Sequence, residues 1–345
     1  LSSEHAAALA LLMEQQSRRD VRRVLAQEGS ARAALARRSR HTSRKIAQLL
    51  QQTRERGISL LAADEAGFPA RLKNIPDPPL LLYLRGNQAC LNLRAVAVIG
   101  ARRASLLGRE TASTLARTLA GSGLAVVSGL ALGIDSAAHE GALDAQGAGG
   151  TTLAVLGSGL GCVAPVTNLP LARRIVVSGG LLISEYGVTT RPRPHHFPER
   201  NRLISALAEV VVVVEAGDRS GSLITARLAL EQGREVLAVP GAITQPNSRG
   251  VNRLLKQGAG LVDSAQDVLD AFGVQPLEES PAAARPGLQP EAQLLLEAMR
   301  EAVNTIDELC EACELPLSQI LALLAQLELA GFVARAGGGY IRRPL

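Results

Sequence analysis

The stretch EVVVVVEAGDRSGSLITARLALEQGREVLAVPG, residues 209–241, decides the fold. It opens on a valine run that is apolar on both faces, turns through glycines into a helical pattern, and closes on a second apolar run of strand length. Strands without polar alternation need helices on both sides, and two of them joined by a helix make a parallel pair. The same alternation recurs upstream in AVAVIG (95–100), LAVVSG (124–129), TTLAVLG (151–157) and GLLISEY (180–186), each followed by a Gly-containing loop and a helical pattern. The spacing predicts a doubly wound α/β domain with a mostly parallel sheet over residues 67–273.

On the N-terminal side, residues 1–66 read as a small helical domain, with HAAALALLMEQQ and RKIAQLLQQTRERG at helical spacing and Gly57 as a stop. FPARLKNIPDPPLLLYLRGN (68–87) reads as a connecting segment with a short strand. Residues 274–290 are Pro-rich, lack periodicity and read as a linker. Three helical patterns and two strand-like pieces around a Gly run then predict a winged-helix domain over residues 291–345. Its third helix, LSQILALLAQLELAG, contains no Lys or Arg, which argues for a protein-binding or packing role rather than base reading.

Composition narrows the class. Aromatics make up only 2%, so the core must be built from Leu, Val, Ile and Ala. No apolar run reaches membrane-spanning length and no signal-peptide pattern opens the chain, so a soluble, cytoplasmic protein is expected. Cys310 and Cys313 form C-x-x-C without a second ligand pair, which fits helix spacing better than zinc. Residues 1–56 hold twelve Lys or Arg against five acids, whereas the rest of the chain holds 25 against 27. That asymmetry suggests a polyanion partner.

In an open parallel sheet, ligands bind outside the carboxyl ends of the strands, and the unusual residues gather in those loops. GARRAS (100–105) brings Arg102, Arg103 and Ser105 to a strand-to-helix turn, where phosphate contact explains two arginines. RSGSLITA (219–226) offers Ser220, Gly221, Ser222 and Thr225 either as an anion seat or as plain N-capping by Ser222. RPRPHHFPERNR (191–202) combines Arg191, Arg193, Arg200 and Arg202 with Phe197 and Asn201. A cationic track with a flat ring suits single-stranded nucleic acid, although Phe197 could equally be a core plug. In SGLALGIDSAAHEGAL (128–143), Gly129 and Gly133 shape a loop, Asp135 is placed to cap a helix starting at Ser136, and His139 follows one turn later. GSGLG (157–161) lacks the third Gly of a dinucleotide fingerprint and no G-x-x-x-x-G-K-[ST] loop occurs, so no nucleotide cofactor is expected. No carboxylate stands at ligand spacing from His195 and His196, so no metal is expected either.

These motifs in this order resemble the DNA-processing protein A (DprA/Smf) family of bacterial natural transformation. The resemblance rests on GARRAS, SGLALGIDSAAHEGAL, LAVLGSGL, LLISEY, FPERNRLISAL, VVVVEAGDRSGSLITARLALEQGREVLAVPG and GVNRLLKQGA, and runs from about residue 68 to residue 273. It implies an extended Rossmann-like domain, flanked by an N-terminal helical (SAM-like) domain and a C-terminal winged helix. Such a protein binds and protects incoming single-stranded DNA, helps load the RecA recombinase, acts as a homodimer and performs no known catalysis. Carried over by position, Arg102 would hold phosphate, Gly129 to Asp135 would shape the second loop, and Phe197 would stack a base. Arg200, Asn201 and Arg202 would support the pocket, and Ser220, Gly221 and Ser222 with Asn252 would line its edge. The chain departs from the family at Leu132, where Arg is usual, at Ala164-Pro165, where Tyr-Pro is usual, and at Pro194, which replaces a lysine. Arg191 or Arg193 is positioned to restore that charge.

The alternative is a Rossmann-fold nucleotide hydrolase acting on a nucleoside monophosphate, with Glu185, Glu199 or Glu215 as acids. Against it, the P-G-G-x-G-T signature of that group is missing, since Pro240-Gly241 is followed by AITQPN. A third possibility leaves DNA contact to the basic N-terminus and makes the sheet domain a protein scaffold.

Overall fold

In the computed structural model of the chain, the valine run lies in the middle of a sheet, as its lack of polar alternation requires. The structure describes residues 6–11, 18–29, 31, 34, 42–145, 150–273, 290–299, 304–313, 315–336 and 338–342. Two units are formed, Leu1–Pro276 and Leu277–Leu345.

The sheet of the first unit contains β1 (Ser59–Ala62), β2 (Leu81–Gly86), β3 (Ala95–Ile99), β4 (Ala125–Ser128), β5 (Thr151–Val155), β6 (Leu181–Ser184), β7 (Val210–Val213), β8 (Glu235–Ala238) and β9 (Gly260–Leu261). Their order is β1-β2-β6-β5-β4-β3-β7-β8-β9. All neighbours from β6 to β9 run parallel, with Ala97 opposite Val127 on one side and Val211 on the other. β1 and β2 are added antiparallel at one edge.

From β3 the chain winds outward through β4, β5 and β6, and then returns to lay β7 against the other side of β3. The helices switch faces at that return. Val96 and Val98 pack under Leu115, Leu119, Ile134 and Ala138 of the outward-winding helices Leu106–Gly121 and Ile134–Asp144. Ala97 and Ile99 point to the opposite face, against Leu203 and Leu207 of helix His196–Leu207 and Ala226 and Ala229 of helix Gly221–Glu231. This is the doubly wound, mostly parallel α/β sheet that the sequence predicts.

The N-terminal helices Arg18–Glu28 and Thr42–Glu55 bury Val21, Ile46 and Leu49 in a core shared with Tyr83, Leu156, Leu171 and Leu182. β1 falls within the stretch read from sequence as helical. Four residues are too few for a period to show, and pairing such as Leu60 with Tyr83 is what fixes them as strand.

The second unit consists of helices Pro290–Ala298, Ile306–Cys313 and Leu317–Leu329 and the antiparallel hairpin β10 (Val333–Ala336) and β11 (Gly339–Arg342). Asn304 bridges to Tyr340 as a further rung, and Leu295, Leu309, Leu324 and Val333 share a separate core. This is a winged helix. Cys310 and Cys313 are free thiols on its middle helix, and no group of three or more metal-ligating side chains gathers among the described residues. Residues 274–289 of the expected linker lie outside the described residues. Among the described residues no helix is long and apolar enough to cross a membrane.

Candidate functional site

A doubly wound sheet opens a crevice beyond the strand ends where its winding reverses. Here that point lies between β3 and β7, and a cavity of about 840 Å³ occupies it. Its wall takes Gly100, Ala101 and Arg102 from the turn after β3, and Gly129, Ala131, Leu132 and Asp135 from the loop after β4. Pro192, Arg193, Pro194, Phe197, Arg200 and Asn201 come from the segment after β6, and Arg219, Ser220, Gly221, Ser222 and Thr225 from the turn after β7. The lining thus includes four arginines, the exposed Arg102, Arg193 and Arg219 and the buried Arg200, against one acid, Asp135.

Phe197 is half-buried at the start of helix His196–Leu207. One flank of its ring lies on Gly157, where an added Cβ would come 3.0 Å from the ring. Above the ring sits the Arg102 guanidinium, 4.9 Å from its centroid. The residue is therefore neither a core plug nor a bare platform: a cation already occupies the stacking position.

Arg200 has the opposite character. It is 3% exposed, and its Nη1 donates to the carbonyl of Gly129 at 2.8 Å and to that of Val155. Nε donates to Asn201 Oδ1 at 3.2 Å, and the guanidinium lies beside Asp135. Burial lowers its pKa to about 10 against the opposing pull of that carboxylate. Arg200 ties the ends of β4 and β5 to the helix that carries Phe197.

Asp135 departs from its expected role. The helix starts at Ile134 behind Gly133, whose φ of 79° supplies the turn and whose missing Cβ leaves room for the Ala101 carbonyl; no side chain caps it. Asp135 instead reaches back to accept the N–H groups of Gly129 at 3.1 Å and Ala131 at 3.4 Å. Burial pushes its carboxyl up, while Arg200 and those N–H groups pull it back. A carboxylate shut away from water gains more from a guanidinium and loop amides than from a helix end that its own backbone has already entered.

His139 forms no pair with Asp135. Its Nδ1 lies 2.7 Å from Thr152 Oγ1, and that hydroxyl donates to the Val126 carbonyl, so Nδ1 must carry the proton. Nε2 is buried without a partner. Burial, seconded by the charge of Arg200, lowers the pKa to about 3. The unfolded chain gains this proton below about pH 6.5 while the folded chain does not, so stability falls as the solution is acidified. We expect His139 to account for a loss of about 2 kcal/mol between pH 7 and pH 5, and His139→Gln to flatten that slope in urea titrations at the two pH values.

At the turn after β7 the helix Gly221–Glu231 is capped by Ser220, not Ser222: Ser220 Oγ accepts the Ser222 N–H at 3.4 Å and lies 2.7 Å from Ser222 Oγ. A hydroxyl pair and the N-terminal end of a helix therefore line the wall together.

Six of the expected residues lie off the wall. Ser105 caps helix Leu106–Gly121 and is held by Glu215, which accepts its N–H and hydroxyl. The exposed Arg103 offers its carbonyl to Asn247. Gly133 shapes the loop from behind, and Asn252 clamps the Gly241 peptide through both N–H and carbonyl. Arg191 is exposed outside the cavity, so of the two arginines near Pro194 it is Arg193 that faces it. Arg202 points away from the cavity, 2.7 Å from Glu185 and 3.1 Å from Asp77. Asp77 also binds Arg22 of the N-terminal helix Arg18–Glu28 at 3.2 Å. Sequence reasoning passed over Arg219, inside a motif it quoted, and Asn247, which arrives from a loop with no motif.

An arginine-lined crevice at the reversal of a doubly wound sheet, in one chain with a winged helix, defines a class of α/β protein. Residues 59–273 match the family described as DNA recombination-mediator protein A, and residues 278–339 match the DprA winged helix domain. The chain belongs to the DNA recombination-mediator protein A family. It is 37% identical to Protein Smf of Escherichia coli over 82% of this chain and 77% of that one. With the DNA processing protein DprA of Streptococcus pneumoniae it shares 44% identity over 59% of this chain and 71% of the relative. The X-ray structure of DprA from S. pneumoniae superimposes with a TM-score of 0.58 at 39% identity, over 66% of this chain and 80% of that one. DNA processing protein A from Helicobacter pylori, whose structure was described for its single-stranded DNA binding mode, gives 0.56 at 32% identity, over 62% and 95%.

Proposed function

We propose that the crevice binds single-stranded DNA, and that the protein protects incoming strands and loads RecA recombinase onto them during transformation and recombination, working as a homodimer. The observation that carries this reading is the Arg102 guanidinium stacked on Phe197 in a wall of four arginines. A base is flat like the guanidinium and can take its place or slot beneath it, while the released cation pairs with a phosphate. Arg193, Arg219, Ser220 and Ser222 are placed to receive neighbouring phosphates, and Arg200 and Asp135 hold the loops in shape. Duplex DNA, its bases paired, has none to offer Phe197.

The hydrolase reading finds less support. Glu215 is bound to Ser105 and Asn247, Glu185 to Arg202, and Glu199 to the Tyr186 hydroxyl; none of the three lies on the wall. The test is fluorescence anisotropy of labelled oligo-dT across a salt series. Three or four phosphate contacts give a log–log slope of about −2 to −3. A salt-independent affinity, or turnover of a nucleoside monophosphate, would overturn the proposal.

A further inference from the structure

The amphipathic helix Thr42–Glu55 turns Ile46, Leu49 and Thr53 inward and leaves a polar face in water. Arg44 and Lys45 stand exposed at its start, Arg54 at its end and Arg56 just beyond. None of the four forms an ion pair among the described residues, although Arg56 donates to the Gln52 carbonyl. The two basic ends lie ten residues apart, about 15 Å along the axis. Between them the exposed face carries Gln48, Gln51 and Gln52, all amide donors, with Glu55 as its acid, 2.9 Å from the Gln51 amide. Residues 1–56, with their excess of seven positive charges, contain no Phe, Tyr or Trp.

We propose that this face is a second nucleic-acid interface, one that takes the phosphate backbone of duplex DNA. Charge complementarity selects a polyanion. The absence of Phe, Tyr and Trp selects among polyanions, because a single strand gains much of its affinity from bases stacked on such rings, and the exposed face of helix Thr42–Glu55 carries none. A duplex asks only for phosphate contact and presents about one charge per 1.7 Å of axis, so a 15 Å spacing of cations meets a dense row of partners. The amides between the two ends can donate to the intervening phosphate oxygens. This interface is independent of the crevice and stands or falls separately from it.

The test uses the full chain carrying Arg44→Ala, Lys45→Ala, Arg54→Ala and Arg56→Ala together, with a labelled 30-base-pair duplex and labelled oligo-dT at low salt. The four side chains are exposed, and thermal melting will verify the fold. Expected are a loss of duplex affinity of about 1,000-fold or more at low salt, a salt slope shallower by about 3.5, and oligo-dT binding changed less than twofold. Lysine at positions 44, 54 and 56 with Lys45 retained should keep duplex binding within a few-fold. Three results would overturn the proposal: no measurable duplex binding by the parent chain, duplex affinity unchanged by the four substitutions, or equal losses for duplex and oligo-dT.

Discussion

Arg102→Ala combined with Phe197→Ala is expected to weaken oligo-dT binding by at least 100-fold at moderate salt while leaving the melting temperature nearly unchanged. Stacking one base on an aromatic ring contributes about 1–3 kcal/mol, and a hydrogen bond to a charged group about 1.5–3 kcal/mol, so losing both removes roughly 3–6 kcal/mol. The fold should tolerate the change because Arg102 is exposed and Phe197 is only half-buried. The single variants separate the two contributions. Phe197→Ala should weaken binding without altering its salt slope, whereas Arg102→Ala should make that slope shallower by about 0.7, the increment of one phosphate contact on a single strand. Phe197→Tyr keeps the ring and should bind within a few-fold of the parent. Unchanged affinity in a folded double variant would remove the crevice as the DNA site.

Arg200→Ala should act on the fold itself. It removes the counter-charge of Asp135 and strips the Gly129 and Val155 carbonyls of their shared donor, all in a place closed to water. Removing one partner of a buried pair costs about 3–5 kcal/mol, much of it from the charge left behind. Urea denaturation would show the loss as a lower midpoint with little change in slope. Adding Asp135→Asn should recover part of it, because the stranded charge goes with the carboxylate. Strict additivity of the two substitutions would show that the groups do not interact.

The strands were legible because a residue buried on both faces must be apolar, and runs such as AVAVIG and EVVVVV admit no other element in a covered sheet. The reversal between β3 and β7 was not legible in that way, since no single strand encodes its neighbours, yet it is what brings Arg102 and Ser220 to one cavity. Residue type revealed that arginines matter near Phe197 but not which way each points. Arg193, Arg200 and Arg202 lie within ten residues and end up on the open wall, under the loops and behind the helix. Helix geometry separates the last two: two residues apart means about 200° of rotation. Asp135 misled because a helix boundary shifted by two residues converts a cap into a first-turn residue that reaches elsewhere.

Asp77 receives Arg22 from the N-terminal helices and Arg202 from the helix behind the crevice. One carboxylate thereby joins the N-terminal helices to the helix that carries Phe197. A chimera that exchanges the first 56 residues for those of a relative without a cation at position 22 would deprive Asp77 of Arg22, while Arg202 would keep Glu185 as its second acid. The Arg22 side chain is 38% exposed, so its loss should lower stability by no more than about 1 kcal/mol and act mainly on how the N-terminal helices are seated.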